Sequence, residues 1–110
     1  LDGEGTSKFI EVHLSGAPNE KTALKAAKAV ANSNLVKTAD YDQANPNWGR
    51  IAAAIGSIGI KVDEHTLKIG VKSQKNVVRI DADLHLGKAE ATVYTCNLTE
   101  EYIRINGKYT

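Results

Sequence analysis

Residues 76–96 read NVVRIDADLHLGKAEATVYTC, and their alternation decides the fold. Val78, Ile80, Ala82, Leu84 and Leu86 fall on one parity and Arg79, Asp81, Asp83 and His85 on the other, the period of two of a strand with one buried face. Gly87 and Lys88 can turn the chain into AEATVYTC, whose small, β-branched and aromatic residues suit another strand. Upstream, TLKIGV (66–71) sets Leu67, Ile69 and Val71 against Thr66, Lys68 and Gly70; KSQKN then turns, so that 66–86 reads as a hairpin.

Further toward the N-terminus, KFIEVHL (8–14) alternates Ile10, Val12 and Leu14 with Phe9, Glu11 and His13 and reads as the first strand. Two helices are expected between it and the hairpin. Asn19 caps the first, whose run TALKAAKAVANSN (22–34) gathers Leu24, Ala27, Val30 and Ala31 on one side. Asn45 as cap and Pro46 at the first helical position open the second, with Ile51, Ala52 and Ile55 apolar and a stop near Gly56 or Gly59. The tail LTEEYIRINGKYT (98–110) alternates like a strand, but Thr99 ahead of two glutamates is also a helix start, and a short C-terminal helix is the expectation. The order predicts an α+β fold, a single domain over 1–110 with two main helices on one face of a mostly antiparallel sheet of about four strands.

The totals bound the function. The 110 residues suffice for one core, and 14 basic against 13 acidic residues give a net charge of +1, too little to steer nucleic acid or an anionic membrane. The single cysteine, Cys96, cannot close an internal disulfide, and no apolar run approaches the roughly 18–20 residues of a membrane span. A reducing, cytoplasmic setting fits best. The chain starts at Leu1 without an initiator Met or a signal-like run, and is expected to be a fragment or a processed chain.

Few residues suggest chemistry. Asp81, Asp83 and His85 share a parity and could hold a metal, but successive same-face positions are roughly 7 Å apart and no further His or Cys joins them, so a solvated strand face is expected and no metal. His13 and His65 have no partner in sequence and receive no role, and Cys96 reads as a small buried hydrophobe. Gly56-Ser57-Ile58-Gly59 imitates the GxxG loop of single-strand nucleic-acid modules, which would make the chain a small non-catalytic binding module for nucleic acid or a protein partner. A helix end with two glycines explains the same residues more simply, because the β register follows. The opening LDGEGTSK (1–8) lacks phosphate-loop spacing and carries the wrong charge for one. It suits a turn that presents Glu4 to an ammonium group, with glycine amides for a carboxylate, and hence a zwitterionic small molecule; a terminus without a site is the alternative.

Three stretches together resemble one family. DGEGTSKFIEV, ANSNLVKTADYDQANPNWGRIAAAIGSIG and LHLGKAEATVYTCNLTEEYIRINGKYT are similar to the C-terminal part of ornithine acetyltransferase, the bifunctional glutamate N-acetyltransferase of the cyclic arginine pathway. The resemblance implies an enzyme of the N-terminal-nucleophile type: a precursor cleaves itself, the freed threonine of the beta chain takes the acetyl group as an ester from N-acetylornithine, and glutamate accepts it. It implies no cofactor, with acetyl-CoA as a possible co-substrate. The alpha chain and the rest of the beta chain would be the partners in a heterotetramer. The nucleophile and oxyanion donors would lie upstream, so no catalytic residue is expected here and the isolated chain should be inactive.

Within this chain the resemblance assigns substrate binding to Glu4, from the DGEG run, and to Asn106, from the run that corresponds to INADY. Asn45 and Asn97 stand where the family has aspartates. Thr110 occupies the family's penultimate place, so the terminal contact is expected to be missing. Trp48 and Arg50 are expected to pack near a helix start rather than to catalyse.

Overall fold

The computed structural model describes residues 9–33, 48–61, 63, 65–74, 76–96 and 99–105. Strand β1 (Phe9–Ala17) is followed by helices α1 (Glu20–Asn32) and α2 (Trp48–Gly56), and then by β2 (Lys68–Gln74), β3 (Val77–Asp83), β4 (Ala89–Cys96) and β5 (Thr99–Ile105). The strands form one sheet in the order β2-β3-β1-β4-β5. Three pairings are antiparallel and the central β1–β3 pair is parallel, so the sheet is mixed, and it has five strands rather than about four.

The predicted alternation is the observed burial as far as Leu84; Leu86, expected on the buried side, is exposed because β3 ends at Asp83 and the chain turns before it. Ile10, Val12 and Leu14 of β1, Val78, Ile80 and Ala82 of β3, and Ala91 and Val93 of β4 are buried and form one face. Helix α1 covers it with Ala23, Ala26, Ala27, Val30 and Ala31, the i, i+3, i+4 spacing of a single stripe. Alanines along that stripe let the helix lie close to the strands. Ile51, Ala52, Ala54 and Ile55 of α2 complete the same core.

Local chemistry sets the ends of these elements. Asn19 is the cap of α1: its side-chain oxygen accepts from the Thr22 N–H at 2.7 Å, a contact whose loss typically costs about 1 kcal/mol. The end of α2 is the glycine stop read from GSIG. The Ser57 N–H donates to the Ala53 carbonyl at 3.0 Å, the Gly59 N–H to the Gly56 carbonyl at 3.0 Å, and Gly59 takes φ +92°. Among the described residues no helix follows it before β2 begins at Lys68. Asn45 and Pro46 lie outside the described residues.

Two expectations are corrected. The tail forms strand β5, not a short C-terminal helix: Thr99 pairs with Cys96 and Ile105 with Thr92, and this ladder overrides the helix-start signal. The hairpin turn is shorter than KSQKN, because Lys72, Ser73 and Gln74 remain in β2 and Gln74 already pairs with Val77.

Candidate functional site

The face of the sheet away from the helices carries the titratable side chains. Every second residue of β1 points there, so Glu11, His13 and Ser15 meet Arg79, Asp81 and Asp83 across the parallel β1–β3 ladder. His13 Nδ1 lies 3.2 Å from Asp81 Oδ1, and its Nε2 lies 2.7 Å from Glu90 Oε1. Arg79 extends the network, with Nε 3.3 Å from Asp81 Oδ2 and Nη1 3.9 Å from Glu11 Oε2. One imidazole therefore links β1, β3 and β4; both contacts are hydrogen bonds only when both ring nitrogens carry protons.

Sequence reading missed this network, since His13 stands 68 positions from Asp81 and 77 from Glu90. The signal that could have exposed it was the shared outward parity of the three residues, which becomes a contact only once the strand order is known.

A shallow cleft of about 320 Å³ opens beside the network, lined by His13, Ser15, Lys68, Gly70, Asp81 and Asp83 among others. It offers charges of both signs but no activated nucleophile, because the Ser15 hydroxyl is turned toward the Ala82 carbonyl, 3.4 Å away. A larger groove of about 600 Å³ runs between α1 and α2 on the opposite side of the molecule. Alanines and Ile58 dominate its lining, with Lys25 and Lys28 at its rim, and it holds no acid–base pair.

Asp81, Asp83 and His85 do not act together. Strand β3 ends at Asp83, His85 takes φ +57°, and Asp83 Oδ1 accepts the His85 N–H at 3.0 Å in a local turn. Among the described residues no cluster of His, Cys, Asp or Glu is arranged to hold a metal. Cys96 is half-buried rather than buried, because its parity places it with Thr92 and Tyr94 on the open face. His65 is exposed, and its backbone N–H donates to Asp63 in the turn ahead of β2.

Glu4 and Asn106, together with the side chain of Trp48, lie outside the described residues. The nearest described neighbours of Glu4 and Asn106 in the chain are Phe9, at the start of β1, and Ile105, at the end of β5. Gly70, Asp81, His13, Thr92 and Ile105 form one row across the sheet, so Ile105 ends the row that contains His13.

Comparison with known proteins gives a concordant result. The ArgJ family matches residues 1–77 and 71–110 of the chain. The arginine biosynthesis bifunctional protein ArgJ of Bartonella henselae is 41% identical over 130 aligned positions, covering 98% of this chain and 32% of its own length. The glutamate N-acetyltransferase of Methanopyrus kandleri is 39% identical, with 98% of this chain and 34% of the relative covered. The crystal structure of ArgJ from Bacillus halodurans superposes with a TM-score of 0.70 at 35% identity, over 89% of this chain and 56% of that one. The chain thus spans about a third of the length of these curated relatives. Matched from end to end, and folded like a solved member, it belongs to the ArgJ family.

Proposed function

We propose that this chain is the single-domain, C-terminal substrate-binding part of a cytoplasmic glutamate N-acetyltransferase of arginine biosynthesis. The observation that carries this reading is the family match over the entire chain, including both runs that hold Glu4 and Asn106. In the complete enzyme the threonine hydroxyl, supplied by a segment preceding this one, attacks the acetyl carbonyl of N-acetylornithine. The C–N bond breaks, ornithine leaves with the proton, and the acetyl ester is then taken by the amine of glutamate. Glu4 pairs with the substrate ammonium, and the amide of Asn106 donates to its carboxylate or acyl oxygen. Acetyl-CoA is a second acetyl donor that this chemistry admits.

Two observations support the arrangement. Phe9 and Ile105 are roughly 16 Å apart by strand rise and spacing, and the five residues from Glu4 to Phe9 span up to about 17 Å, so chain length permits the two side chains to meet. The chain covers over half of the solved Bacillus halodurans ArgJ chain but only a third of the curated relatives, as expected if family members exist as separate, shorter chains after cleavage. On this reading the alpha chain and the rest of the beta chain are its partners.

The test uses the full-length enzyme. Glu4→Gln should lower kcat/KM for N-acetylornithine roughly 10- to 100-fold, the worth of a charge-assisted hydrogen bond, and leave self-cleavage intact. Unchanged substrate kinetics would reject the binding role. A folded precursor that neither cleaves itself before a threonine nor exchanges acetyl groups would reject the enzyme.

A further inference from the structure

The sheet has two edges, and they differ in what they can pair with. Strand β2 forms one and β5 the other, so along each a row of backbone N–H and C=O groups has no partner strand among the described residues. Such a row is a template for a further strand unless the residues along it forbid one. β2 reads KIGVKSQ, with two lysines and no acidic residue. A second copy laid along it would bring four ammonium groups together, and edge lysines are a common guard against such pairing.

β5 reads TEEYIRI and complements itself. Its seven residues, Thr99–Ile105, have Tyr102 at their centre. When two copies pair antiparallel with the whole strand overlapping, Tyr102 meets its own symmetry mate, and Glu100 opposes Arg104 once on each side of the axis. Neighbouring two-fold registers lose this match. An axis through Glu101 would set two carboxylates face to face, and one through Ile103 would carry Glu100 beyond the overlap.

We propose that β5 is the edge by which two copies of this chain associate, in a two-fold antiparallel contact about Tyr102 that continues the sheet from five strands to ten. The assembly closes, because the two-fold uses up both β5 edges and leaves the lysine-bearing β2 strands outermost. The contact ends at Ile105, directly ahead of Asn106, so it also steadies the strand from which that residue leaves. The pairing itself does not depend on the acetyltransferase reading.

The test uses the full-length enzyme carrying Cys96→Ser, oxidised mildly and examined on non-reducing gels and by sedimentation. Tyr102→Cys should link two copies, because directly opposed residues hold their Cβ atoms about 4.5–5.5 Å apart, close to disulfide reach. Glu100→Cys, about 13 Å along the strand from its mate, should not link to itself but should link to Arg104→Cys when the two variants are mixed. Glu100→Arg and Arg104→Glu should each raise the dissociation constant of the pair roughly tenfold, and the double exchange should restore it to about the parent value. A folded Tyr102→Cys enzyme that does not link, or one that links no better than Glu100→Cys, would overturn the proposal. Charge reversals that leave association unchanged would overturn it too. If a single reversal fails to fold, the double exchange decides: a folded double variant that does not associate is contrary to the proposal. Linked pairs in an enzyme without acetyl exchange would support this contact while rejecting the proposed function.

Discussion

The two faces of the sheet are built on different physics. Toward the helices, Ile10, Val12, Leu14, Val78, Ile80, Ala82, Ala91 and Val93 are removed from water, and removal of apolar surface is where the stability lies. Away from the helices, His13, Glu11, Arg79, Asp81 and Glu90 pair within β3 and across strands at 2.7–3.9 Å while remaining partly exposed, where solvent competes for every contact. The inner face therefore tolerates loss poorly, and the outer face is free to be specialised.

The contrast is sharpest at Leu14, which is fully buried in the central strand. Leu14→Ala should destabilise the chain by about 2–5 kcal/mol, measured by urea denaturation; a loss below about 1 kcal/mol would mean that the helices do not cover this face as described. Gly16, at the irregularity where β1 shifts register against β4, joins the two faces. It takes φ +71°, and a Cβ there would fall on Asp83 Oδ1 and the His85 backbone nitrogen. Gly16→Ala should cost about 2–3 kcal/mol from left-handed strain and overpacking together. The outer network should yield the smallest effect. His13→Ala should cost less than about 1 kcal/mol, and a double-mutant cycle with Asp81→Ala should give a coupling that shrinks in high salt. A salt-insensitive coupling of several kcal/mol would erase the distinction between the faces.

The same division governs what could be read from the sequence. The inner face was legible, because burial follows a period of two in strands and 3.6 in the helix, and a parity is visible without knowing which strands are neighbours. Strand order was not legible: nothing in KFIEVHL says that its partners are residues 77–83 on one side and 89–96 on the other, and the network of His13, Asp81 and Glu90 depends on that order. The tail shows the limit of local signals, since Thr99 and two glutamates imitate a helix start while pairing with β4 decides for a strand. Glycine chemistry transferred best, with GSIG ending α2 as expected. For the site, the residues alone supplied a carboxylate on a flexible turn at Glu4; only resemblance attached it to a substrate and paired it with Asn106.

The parallel pairing at the centre of the sheet has a consequence for the birth of the molecule. β1 is made first, yet its ladders join Phe9 to Val77 on one side and to Cys96 on the other. The hairpins β2–β3 and β4–β5 close over short loops, whereas the middle of the sheet closes over long ones and pays their entropy before any contact rewards it. During synthesis β1 waits for these two neighbours until most of the described sheet has followed. The rate of folding should therefore be set by the docking of β1 between two hairpins already formed.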